Sequence, residues 1–75
     1  MVIYKVEITY PNGEVEELDE DFFTLNKAIA SANHILGQVA YNAQFHKGSA
    51  SMKPFAVVKE CENNETKIVF DSREQ

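Results

Sequence analysis

Between Leu25 and Ala43 the apolar side chains return every three or four residues, at Leu25, Ala28, Ile29, Ala32, Leu36, Val39, Ala40 and Ala43. At about 100° per residue they fall in one stripe roughly 120° wide, the pattern of an amphipathic helix laid on a sheet. No other feature of the chain restricts its fold as tightly. Thr24 is the expected N-cap, with Phe23 and Ala28 at the positions of a hydrophobic staple. Asp19, Glu20 and Asp21 lie on the side where the helix dipole favours negative charge, and Lys47 with Gly48 supplies a stop. A helix is therefore predicted over residues 24–46.

On either side of this helix the period changes to two. Val2, Tyr4, Val6, Ile8 and Tyr10 alternate with Ile3, Lys5, Glu7 and Thr9, as in a half-buried strand. Pro11-Asn12-Gly13 then predicts a tight reversal into a second strand near Glu14 to Leu18. That partner is weakly apolar, with Val15 and Leu18 on opposite faces, so it is expected to be short, bulged or at a sheet edge. Beyond the helix, residues 47–54 lack periodicity and read as a mobile loop ending at Pro54. Phe55–Glu62 and Glu65–Asp71 form a second hairpin around Asn63-Asn64, which sets Cys61 opposite Thr66, Glu60 opposite Lys67, Val58 opposite Val69 and Val57 opposite Phe70. Residues 72–75 are polar and expected to fray.

The order β-β-α-β-β implies an α+β two-layer sandwich, an antiparallel four-stranded sheet with one long helix packed on one face, as a single small domain over residues 1–75. Tyr4, Val6, Ile8, Phe55, Val57, Cys61, Ile68 and Phe70 are expected beneath the helix. Ile3, Ala56, Val58 and Val69 are left on the open face among Lys5, Glu7, Glu60 and Lys67.

A domain of this length buries only about 60% of the surface its unfolded state exposes, and its core alone rarely nets more than roughly 3–5 kcal/mol. The single cysteine, Cys61, rules out an internal disulfide or a cysteine cage for zinc, and it points to a reducing, cytoplasmic setting. Met1 to Lys5 reads as strand rather than leader, and no apolar run reaches membrane-spanning length. The formal net charge is −5, which disfavours direct binding to nucleic acid or an anionic membrane surface. His34 and His46 are twelve residues apart and cannot form a metal pair on one helix face. Cys61 has no basic sequence neighbour and reads as core packing, while Ser49, Ser51 and Ser72 have no catalytic motif around them. No metal or cofactor is expected, and no acid, base and nucleophile come together as an enzyme would need.

Two surfaces stand out. The first 21 residues hold one base and seven acids, so the whole net charge resides in the first hairpin and its extension. The run Glu14, Glu16, Glu17, Asp19, Glu20 and Asp21 lacks the spacing and glycine of a calcium loop. It reads either as a charged sheet edge that blocks extension or as an anionic surface steered toward a basic protein, nucleic-acid mimicry included. The second surface is the outer helix face, where Ala30, His34, Gly37, Tyr41 and Phe45 occupy positions expected to be wholly polar. Gly37 costs about 1 kcal/mol relative to alanine inside a helix, and together with Ala30 it would admit a second helix at close range. The other reading of Tyr41 and Phe45 is aromatics folded back on their own chain. The sequence thus predicts a non-enzymatic protein-interaction domain with a protein partner, a second copy of itself above all, engaged through the outer helix face or the open sheet face. An acidic adaptor or inhibitor is the alternative.

Overall fold

A computed structural model describes residues 2–43 and 53–74. The polypeptide runs β1 (Ile3–Thr9), β2 (Val15–Glu17), α1 (Leu25–Ala43), β3 (Phe55–Glu62) and β4 (Glu65–Asp71), followed by a 3₁₀ turn at Ser72–Glu74. The four strands form one antiparallel sheet in the order β2-β1-β3-β4, and α1 packs on the two central strands. The two-layer α+β architecture is as the sequence predicts. Phe45, the expected helix end through residue 46 and loop residues 47–52 lie outside the described residues.

Each hairpin closes as its turn chemistry requires. Gly13 donates its N–H to the Tyr10 carbonyl at 2.9 Å, Tyr10 donates to the Glu14 carbonyl at 2.8 Å, and Gly13 sits at φ 93°. This is a three-residue loop with glycine in the left-handed position. Asn63 at φ 50° and Asn64 at φ 67° both occupy that region, as a two-residue primed turn demands. The expected register holds from Glu62↔Glu65 to Glu60↔Lys67, whose side chains lie 3.7 Å apart. It then slips: Lys59 faces Ile68 while Val58 faces Phe70, leaving Val69 as the extra residue of a bulge. Val58 therefore does not oppose Val69, and Val57 faces Asp71 rather than Phe70.

The core is built from Val6, Ile8, Ala56 and Val58 of the sheet and Ala28 and Ala32 of the helix, all fully buried. This corrects the expected phase of β3. Pairing Val6↔Val58 and Ile8↔Ala56 turns Val58 and Ala56 toward the helix, so Phe55, Val57 and Cys61 lie on the open face. Ile68, opposite Lys59, also lies on the open face and is 61% exposed, whereas Val69 packs against the core. Glu60 and Lys67, in line with Tyr4, fall on the helix side. The segment Phe55–Val58 is apolar at every position, so alternation alone does not fix which side is in.

Thr24 caps α1 through its Oγ1, which accepts the Lys27 N–H at 3.3 Å. The staple does not form: Phe23 is 67% exposed while Ala28 is fully buried. Phe22 takes the inward role, exchanging backbone bonds of 2.8 and 3.0 Å with Tyr4 and packing against the core. Ile35 joins the buried side of the helix and Ala40 is exposed, which rotates the stripe slightly from its expected centre.

Ser72–Glu74 form a 3₁₀ turn with side-chain contacts to β3 and β4. Ser72 Oγ accepts the Ala56 N–H at 3.0 Å, and the Arg73 guanidinium lies 3.8 Å over the Phe55 ring. Arg73 also forks onto Asp71, with Nε at 3.0 Å from Oδ1 and an Nη at 2.6 Å from Oδ2, while its backbone N–H donates to Oδ1 at 2.9 Å. These three donors hold the Asp71 carboxyl below the usual carboxylate range. A group depressed in this way stabilises the fold above its unfolded pKa and loses that contribution as pH falls through its folded one. Melting temperatures of the parent and of Asp71→Asn, measured from neutral to acid pH, are therefore expected to differ at neutrality and converge in acid. A constant gap would show that the Asp71 charge is not what secures the turn.

Candidate functional site

The outer face of α1 emerges as the residue pattern requires. Lys27, Ala30, His34, Gly37, Gln38 and Tyr41 are all exposed, and α1 runs unbroken through Gly37. His34, Gly37, Gln38 and Tyr41 line one shallow, open depression, and Tyr41 is 62% exposed. The Gly37 backbone is ordinary helix, and a Cβ built on it would meet nothing within 4 Å. Among the described residues neither a turn nor a close intramolecular contact requires glycine here. α1 carries no Asp or Glu at all, with Lys27 its one formal charge.

The open sheet face is dressed differently. Lys59 Nζ donates to Glu7 Oε2 at 2.6 Å and lies 3.8 Å from Glu17, and Lys5 Nζ donates to Asp21 Oδ1 at 2.8 Å. The hydrogen bond with Glu7 raises the Lys59 pKa above its ordinary value, and that with Asp21 does the same for Lys5. Long aliphatic stems cover the sheet, with the Lys59–Glu7 pair part-buried and the Lys5–Asp21 pair more exposed. Val57, on this face between Glu7 and Asp71, is only 5% exposed. Ile68 and Val15 are its exposed large apolar residues, on opposite outer strands. Cys61 belongs to this face, opposite Ile3, and its Sγ accepts a hydrogen bond from Thr66 Oγ1 at 3.8 Å. It is therefore partly exposed rather than a core residue.

The acidic run divides into two kinds of carboxylate. Glu16 accepts the Tyr10 hydroxyl at 2.8 Å, which raises the Tyr10 pKa, while Glu17 and Asp21 face lysines. Glu14, Asp19 and Glu20 are exposed and make no ion pair among the described residues. The geometry of the edge explains the split. β2 lasts three residues; Leu18 then donates to the Val6 carbonyl at 2.8 Å, and the backbone rejoins β1 only at the Tyr4↔Phe22 bridge. Asp19, Glu20 and Asp21 occupy the outward loop between these two attachments. The opposite edge, β4, is broken by its bulge at Val69. Both edges thus carry the irregularities and charges that oppose strand addition.

Among the described residues no group of three or more His, Cys, Asp or Glu side chains is placed to hold a metal ion, and no helix is long and apolar enough to cross a membrane. His34 is exposed on the outer helix face and His46 lies outside the described residues. Sequence reasoning placed Lys5 on the open face but missed Lys59, because Lys59 stands two residues from Cys61, whose expected place is inward. Comparison with protein-family models, curated proteins and solved structures found no match.

Proposed function

We propose that this protein is a small, non-enzymatic protein-interaction domain that associates with a second copy of itself through the outer face of α1. The observation that carries this reading is Gly37, an exposed helical glycine with open space where its Cβ would stand. Such a residue costs about 1 kcal/mol relative to alanine, and nothing among the described residues offsets that cost. A neighbouring helix at close range supplies a reason, with Ala30 on the same face and Tyr41 beside the contact. Charge favours the same surface. In a protein of net charge −5, a face without carboxylates brings two copies together with the least repulsion. The ion-paired open sheet face and the two irregular edges offer less. The lone, partly exposed Cys61 suits a reducing, cytoplasmic setting.

Gly37→Ala separates this reading from a merely imperfect helix. Dilute protein is expected to gain about 1 kcal/mol, or roughly 4–8 °C in melting temperature. Self-association, followed by sedimentation over a concentration series, is expected to weaken because an added methyl at a close contact costs about 1–3 kcal/mol. Tyr41→Glu is expected to abolish it. A strict monomer at every concentration, unchanged in both variants, defeats the proposal.

The acidic-adaptor reading rests on Glu14, Asp19 and Glu20 alone, since the other three of the six carboxylates are already engaged within the fold. It requires binding to a basic protein that rising salt weakens and that Glu14→Gln combined with Glu20→Gln removes.

A further inference from the structure

We propose that the Asn12–Gly13 step is a self-modification site, at which the Asn12 amide is lost through attack by its own backbone and the first hairpin gains a carboxylate. Three observations meet there. Asn12 Oδ1 accepts the Glu14 N–H at 2.9 Å, which folds the side chain back over the following peptide and encloses Cγ and the Gly13 nitrogen in one hydrogen-bonded ring. The same donor polarises the amide carbonyl and faces the oxygen on which negative charge gathers as a nucleophile adds at Cγ. Gly13 has no side chain to screen its nitrogen, and beyond its chain neighbours no described atom lies within 4 Å of where a Cβ would stand.

The chemistry needs only water. The Gly13 nitrogen, its proton passing to solvent base, forms a bond to Asn12 Cγ; the Cγ–Nδ2 bond of the amide breaks and ammonia leaves, giving a cyclic succinimide. Water then opens the ring at either carbonyl, to aspartate or to isoaspartate. Gly13 N–H is held by the Tyr10 carbonyl at 2.9 Å, so the reaction proceeds as that turn bond opens. The remaining asparagines of the described residues are less suited. Asn26, Asn33 and Asn42 lie in α1, and Asn63 and Asn64 are each followed by a residue whose side chain shields the attacking nitrogen.

The product places a new charge beside Glu14 and Glu16. Its isoaspartyl form also lengthens the backbone inside a loop that two hydrogen bonds across Tyr10 hold shut, which loosens β2 from β1. Neither effect depends on how the helix face is used.

The full-length protein, kept folded in warm, mildly alkaline buffer, is followed by peptide mass spectrometry and by enzymatic methylation of isoaspartyl carboxylates. Amide loss at Asn12 is expected to outrun that at Asn63 and Asn64 by an order of magnitude, with isoaspartate in excess of aspartate. Asn12→Gln is expected to remove the methylation signal. Loss at Asn12 no faster than at the other turn asparagines overturns the proposal. So does aspartate without isoaspartate, because direct hydrolysis does not pass through the Gly13 nitrogen.

Discussion

Ile8→Ala is expected to leave the protein largely unfolded near physiological temperature. Ile8 is among the largest fully buried side chains and lies where β1, β3 and α1 meet. Truncating such a residue costs about 2–5 kcal/mol, the lost transfer energy together with the cavity left behind. The core of a domain of this size rarely supplies more than roughly 3–5 kcal/mol, so the substitution is expected to remove most or all of it. Its neighbours offer little relief, because Val6 and Val58 are β-branched and stiff and Ala28 and Ala32 have no further atoms to move into the gap. Val15→Ala is the matched control: Val15 is 58% exposed and its truncation should fall within about 0.5 kcal/mol of the parent. Circular dichroism melts of the three proteins decide the matter. A loss at Ile8 as small as that at Val15 would mean that the core is not where Ile8 sits.

Ala32→Leu is expected to destabilise the domain for the opposite reason. Ala28 and Ala32 are fully buried beneath α1, and their small side chains let the helix settle closely on Val6, Ala56 and Val58. Three added heavy atoms at Ala32 must lift the helix or force strained rotamers. Overpacking costs typically about 1–3 kcal/mol, which for a domain this short means a fall of at least roughly 4–8 °C. Leucine at Ala30, exposed on the other side of the helix, should leave the melt of dilute protein close to the parent's. Equal effects at the two positions would remove the distinction between inner and outer helix faces on which the proposed function rests.

The helix and both hairpins are legible in the sequence because each carries a period or turn chemistry that its neighbours lack. Leu25–Ala43 has the helical period, and Tyr4, Val6 and Ile8 alternate with Lys5 and Glu7, leaving one choice of inner face. Phe55–Val58 has no such contrast, and sending bulky Phe55 inward reverses the strand. The observed phase follows from the partner layer: an alanine-lined helix packs on Ala56 and Val58, and Phe55 instead receives the Arg73 guanidinium. The slip at Val69 is hidden for a related reason. Charge pairing of Glu60 with Lys67 fixes the register near the turn, but Ile68, Val69 and Phe70 are apolar in succession and accept either alignment. The exposed helix face is legible as the complement of the buried stripe. The pairing of Glu17 with Lys59 depends on a strand order that local pattern does not contain.

The two hairpins have tight turns, yet they are joined edge to edge only where β1 meets β3, between residues 46 to 58 positions apart. Hairpins form in about 1–10 μs, whereas joining distant strands first requires a long loop to close. The central seam is therefore expected to set the pace of folding and to make the protein slow for its length. It also makes folding collective: each hairpin brings half of one core, α1 spans both halves, and neither half has an interior until the other arrives.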